Sequence, residues 1–232
     1  MRGTPRSSAR RRVAAGGLPR PWALAVALSI SGLLVAAAED SSARQLTEAR
    51  VVLLASEGHD RRIELVREAI AFWNRTFEEL GLAPVLGDPK VVVASTVTRA
   101  LENYAWDISR SAGRLVPGSP GPPAPDQLRS FDADVVVLLS AQALMPFAWP
   151  VAPTPRYFVG VPSDPSATPA DARNVIAHEL GHALGLEHNR QAAGAVMCEP
   201  CGGGAGADPS GFLPITATER DRLLELYGER PR

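Results

Sequence analysis

The sequence predicts a single α/β (α+β) domain, and three observations carry that expectation. Short β-branched apolar runs alternate with segments whose apolar residues recur every three or four positions. No segment repeats, which excludes a solenoid or propeller. The composition, 45% hydrophobic and 21% charged over 232 residues, is that of a globular chain with room for one core.

The elements follow in order. Residues 50–55 (RVVLLA) read as a strand. From 62 to 80, Ile63, Val66, Ile70, Trp73, Phe77 and Leu80 fall on one helical face, and Gly81 ends the helix. Residues 90–94 (KVVVA) form a second strand, and 98–114 a helix with Leu101, Tyr104, Ala105 and Ile108 inward. Residues 117–125 (PGSPGPPAP) can only be loop. Residues 134–139 (DVVVLL) read as a well-buried strand, and 146–155 as a proline-broken segment. Residues 156–161 read as a short edge strand, because prolines flank it. Thr168 caps a helix with Pro169 at its first position and Asp171 at its third; the helix runs to Leu184, where Gly185 stops it. Thr216 and Glu219 form the capping box of a last helix that ends at Gly228.

The ends of the chain differ in charge. Residues 1–38 hold six arginines and no acid, then an apolar run from Trp22 to Ala38 closing on three alanines. That is the layout of an export signal cleaved after Ala38, with an uncleaved membrane anchor as the alternative. Residues 39–49 make a short N-terminal segment and 50–230 the folded domain. Residues 39–232 carry 18 basic against 25 acidic side chains, so this part has no electrostatic footprint for nucleic acid. Membrane contact is expected only through the N-terminal segment. The protein is expected to work outside the cytoplasm, secreted, periplasmic or on the cell surface, and as a monomer.

The chemistry is concentrated in H-E-L-G-H-A-L-G-L-E-H, residues 178–188, which holds three of the four histidines. On a helix, His178 and His182 lie one turn apart and project from one face, the spacing of two ligands to one Zn²⁺. Glu179 borders that face, close enough to hold a water without being a ligand. Gly185 has no Cβ and allows a sharp left-handed turn, which brings His188 back as the third ligand. Three protein ligands leave one position open, as in catalytic zinc sites. A zinc-holding interaction module without turnover is the competing reading.

In these residues the chain resembles the metzincin zinc endopeptidases, since His178, Glu179, His182, Gly185 and His188 fill every fixed position of their long zinc motif. Its wording is most similar to the matrixins. Asn189 stands where they usually have serine, and Cys198 where tyrosine often follows the family's methionine. The resemblance implies a twisted mixed sheet, an active-site helix, a methionine turn at Met197 beneath the metal, and a C-terminal helix. It implies zinc-dependent hydrolysis of a peptide or protein substrate with Glu179 as general base. It also implies that Tyr157, Phe158, Val159, Gly160 and Val161 form an edge strand bordering the substrate cleft; packing at the sheet edge explains them equally well. No Asp-rich loop places a calcium ion, and no cysteine stands between Glu39 and the motif to hold the enzyme latent.

Cys198 and Cys201 are the only cysteines. A zinc knuckle would need more ligands than remain, and a redox pair would open a helix after a strand. In an exported protein a Cys198–Cys201 disulfide is the expectation, with two free thiols as the alternative. Gly202, Gly203 and Gly204 then read as a wrap around the specificity pocket, and His59 as a surface residue. Ordinary histidines, with pKa about 6.5, would let zinc go below about pH 5.5.

Overall fold

In a computed structural model of the chain, the residues described are 48–93, 95–111, 121–152, 156–199 and 211–228. The expected export signal, Cys201 and the glycines at 202–204 lie outside them. No helix among the described residues is long and apolar enough to cross a membrane.

Five strands form one mixed sheet: β1 (Val51–Ala55), β2 (Lys90–Val93), β3 (Val135–Leu139), β4 (Phe147–Val151) and β5 (Arg156–Val161), in the order β2-β1-β3-β5-β4. β2, β1, β3 and β5 are parallel, and β4 runs antiparallel to β5. Five helices join them: α1 (Arg62–Glu79), α2 (Ser95–Ser111), α3 (Asp126–Arg129), α4 (Pro169–Ala183) and α5 (Ala217–Tyr227).

The period-two alternation of a strand divides the sheet into two faces. Val51, Leu53, Val135, Val137, Val159 and Val161 pack against α1 and α4; Val52, Leu54, Val136, Leu138, Phe147 and Phe158 pack against α2 and α3. Parallel strands covered on both faces are apolar throughout, which is why β1 and β3 are buried at every position. On the first face Trp73 of α1 is completely buried and its Nε1–H donates to the Ala177 carbonyl of α4 at 2.9 Å. That bond fixes α4, the helix of the histidine motif, against the core.

Two clamps hold the loops at the strand ends. Arg62, paired with Asp60, donates to the carbonyls of Ser140 at 2.8 Å and Pro162 at 3.0 Å. Glu102 of α2 is buried and accepts from the Ser140 hydroxyl at 2.5 Å and the Ala141 N–H at 2.7 Å.

Two expectations are corrected. Residues 146–155 are not merely broken by proline: Phe147, Trp149 and Val151 point inward and make β4. Consequently Tyr157, Phe158, Val159, Gly160 and Val161 are not at the edge. They form β5, bonded to β3 on one side and β4 on the other. Flanking prolines stop a strand but do not say which side of it is free. The proline that marks the edge is Pro150, inside β4, since proline cannot donate to a ladder on both sides. Gly160 has a packing reason as well. A Cβ there would come within 2.4 Å of the Phe147 ring, its cross-strand partner. α3 has no counterpart in the expected elements, being one turn long.

Candidate metal centre

Thr168 starts α4 as expected: its hydroxyl accepts from the Asp171 N–H at 3.1 Å, and the Asp171 carboxylate accepts from the Thr168 N–H at 3.1 Å. The helix carries His178, Glu179 and His182, and it stops because Gly185 adopts φ +89°. A side chain at that φ is strained, and a Cβ would also meet Leu226 of α5 at 2.9 Å. The turn returns the chain so that His188 faces the helix.

The three Nε2 atoms form a triangle, each 3.1 Å from the other two. Hydrogen bonding among them does not explain this. The Nδ1 of His178 lies 2.8 Å from the Val196 carbonyl, and that of His182 lies 2.8 Å from the Leu186 carbonyl. A carbonyl only accepts, so both Nδ1 atoms carry the proton. The Nδ1 of His188 lies 3.3 Å from Oε2 of Glu199, within ion-pair distance. The Nε2 atoms of His178 and His182 therefore both turn lone pairs toward the point they share with Nε2 of His188, and two lone pairs 3.1 Å apart repel without a cation between them. Bonds of about 2.0–2.1 Å from one zinc, meeting at roughly 100°, would span the same triangle. The donor set fits Zn²⁺: three neutral imidazoles, each oriented through its other nitrogen. Among the described residues this is the one group of three or more metal-binding side chains that converge.

Burial prepares these groups for metal. It pushes the His178 pKa down to about 4 and that of His182 down to about 3, with the neighbouring histidines adding to the effect. Desolvation lowers His188 too, against the pull of Glu199. Protons then compete less for the ligands, so the acid limit for zinc retention moves below the pH 5.5 of ordinary histidines, to about pH 5 or lower. Glu179 is shifted the other way: burial alone raises its carboxyl to about 8, and no charge or hydrogen bond offsets it. Glu179, next in sequence to His178, is thus a buried carboxyl that exchanges its proton near neutral pH.

These opposite shifts predict the stability of the metal-free chain. Histidines with lowered folded-state pKa bind protons better when unfolded, so stability falls as pH drops from about 6.5 toward 4. A carboxyl raised to about 8 binds its proton better when folded, so stability falls as pH rises from about 4.5 to 8. The chelated protein is expected to melt highest near neutrality and lower at both pH 5 and pH 8.5. Adding zinc should remove the alkaline fall, because a cation beside Glu179 favours its ionised form. Melting temperatures of both forms across this range check it; a chelated protein that gains stability up to pH 8.5 contradicts it.

Met197 is completely buried, with its sulfur against Gly181 of α4. Its carbonyl accepts from the Asn189 N–H at 2.6 Å, which pairs the turn with the segment after His188. Val196, the residue before it, is held by the Pro214 carbonyl at 3.0 Å and offers its own carbonyl to His178. The methionine turn is thus both a floor under the helix and a brace for one ligand. Cys198 is disulfide-bonded, and Cys201 is the only other cysteine in the sequence.

Two residues here escaped the sequence reading. Gly181 lies inside the motif, where a glycine within a helix should itself signal a close approach. A Cβ on it would come within 2.4 Å of the Met197 sulfur and 2.9 Å of the Trp73 ring. Gly181→Ala is expected to cost about 1–3 kcal/mol by overpacking, read from denaturant unfolding of the zinc-loaded chain. Unchanged stability would show that the floor is loose. Glu199 has no spacing signal, since its partner His188 is fixed only by the fold.

The other expected residues lie elsewhere. His59 is exposed and faces Glu57 at 3.0 Å. Val159 and Val161 point into the core beside α4, Phe158 stacks with Tyr104, and Tyr157 is half-buried at the start of β5.

The family model of the matrixins, a peptidase family, matches residues 98–204, somewhat under half of the chain. That stretch runs from α2 through the three histidines and Met197. A solved structure that resembles the chain is archaemetzincin from Methanopyrus kandleri. It is 17% identical, the match covers 77% of this chain and 95% of that one, and the TM-score is 0.43. No curated protein matches the chain significantly. The matrixin match contains all three histidines of the triangle, and their donor set fits zinc.

Proposed function

We propose that this protein is an exported zinc-dependent endopeptidase, with His178, His182 and His188 as ligands and Glu179 as general base. One observation carries the reading most: three imidazole nitrogens meet at one point, and the residue after His178 is a buried carboxyl, Glu179, with no charged partner among the described residues. A purely structural zinc site would fill its fourth position with protein and would gain nothing from a dry carboxyl at its rim.

Zinc held there would polarise the scissile carbonyl and acidify the attacking water. The chain's own residues do the rest. Glu179 accepts the water's proton at its carboxylate and returns it to the leaving amine. The Val196 and Leu186 carbonyls hold their histidines in the tautomer that keeps Nε2 unprotonated. Met197 and Trp73, packed on Gly181, prevent α4 from tilting. β4 is the outermost strand on this side of the sheet among the described residues, and an extended peptide would run alongside it. Export rests on the basic and apolar segment before Glu39.

The test is a panel of unstructured peptides incubated with the purified protein and read by mass spectrometry. Internal cleavage that a chelator abolishes supports the proposal. Stoichiometric zinc with no cleavage of any peptide would favour the silent zinc-binding module.

A further inference from the structure

We infer that Glu199 is the outer carboxylate of this metal centre, a positioning residue that holds His188 with its Nε2 turned to the metal. The inference rests on the zinc reading above and adds a residue to it. His178 and His182 are fixed twice, by the helix that carries them and by a backbone carbonyl on Nδ1. His188 stands on the loop after Gly185 and has no helix to set its ring. Its Nδ1 faces Oε2 of Glu199 at 3.3 Å instead.

The burial of Glu199 is the second argument. Its side chain is 6% exposed, and a carboxylate that dry needs compensation. Arg190 Nε lies 3.2 Å from the same oxygen, but the Arg190 side chain is 61% exposed, so solvent screens much of that pairing. His188 Nδ1 faces the same oxygen from the more protected side, its own side chain being 18% exposed. Backbone pairing puts Glu199 there: the Asn189 N–H bonds the Met197 carbonyl at 2.6 Å, and Asn189 bridges Cys198 in parallel. Residues 189–190 and 197–199 therefore run side by side, with Glu199 beside His188 and Arg190. A carboxylate that accepts the Nδ1 proton fixes the tautomer and raises the basicity of Nε2, which strengthens it as a ligand.

The experiment measures zinc affinity of the full chain by chelator competition at pH 7.5. Glu199→Ala is expected to weaken zinc by about tenfold or more, and Arg190→Ala by less than about threefold. A Glu199→Ala loss below threefold, or an equal loss in Arg190→Ala, overturns the inference, the second because it would make the exposed ion pair the cause. Wild type that binds no zinc would instead remove the reading beneath it, so the two failures are distinct. Should Glu199→Ala not fold, long-range ¹H–¹⁵N correlation on zinc-loaded wild type decides. A proton on His188 Nδ1 that exchanges slowly with water supports the role; one that exchanges as freely as in an exposed histidine contradicts it.

Discussion

Glu179→Gln is expected to lower the rate of peptide hydrolysis by about 10² or more while zinc stays near one ion per chain. Glutamine keeps the length and the planar end of glutamate but cannot take a proton at neutral pH. No group other than the carboxyl is lost, because Glu179 pairs with no charge in the metal-free fold. Removing a carboxyl that burial has raised to about 8 should also stabilise the metal-free chain at alkaline pH, where the ionised form is costly. The variant therefore separates two roles: catalysis falls, and folding does not. Steady-state rates with metal analysis on the same preparation check this. Wild-type activity in Glu179→Gln would remove Glu179 from the mechanism.

His182→Ala is expected to behave in the opposite way, losing the metal along with the activity. His182 supplies one corner of the Nε2 triangle, 3.1 Å from each neighbour. Two imidazoles with water hold zinc poorly, so dialysed protein should retain well under one ion per chain. Adding zinc in excess should restore little activity. The fold should survive, since the α1–α4 contact runs through Trp73, Ala177 and Gly181. A dialysed His182→Ala chain with a full zinc complement would show that the ligand set is wrong.

The sequence was most legible where local chemistry decides the structure. The boxes at Thr168 and Thr216 stand where hydroxyl, proline and acid spacing put them. The turn at Gly185 follows from a left-handed φ that glycine accepts. The histidine cluster was legible because one helical turn and one tight turn need only local geometry. What was hidden depends on long-range pairing. Which strand closes the sheet is settled by whether β4 folds back on β5, and residues 146–155 read as broken because Pro150 interrupts them. Glu199 was hidden for the same reason: its partner His188 is eleven residues away, and the pairing exists only once the methionine turn is formed. Gly160 looked like part of a cleft, and its meaning emerges only with Phe147 lying over it.

Whether the metal held by the three histidines performs the reaction is decided by measuring bound zinc and peptidase rate in one sample as chelator is added stepwise. The rate is expected to fall in proportion to zinc, to reach zero when zinc is gone, and to return with one equivalent of added zinc. Hydrolysis that persists in the zinc-free protein would contradict it.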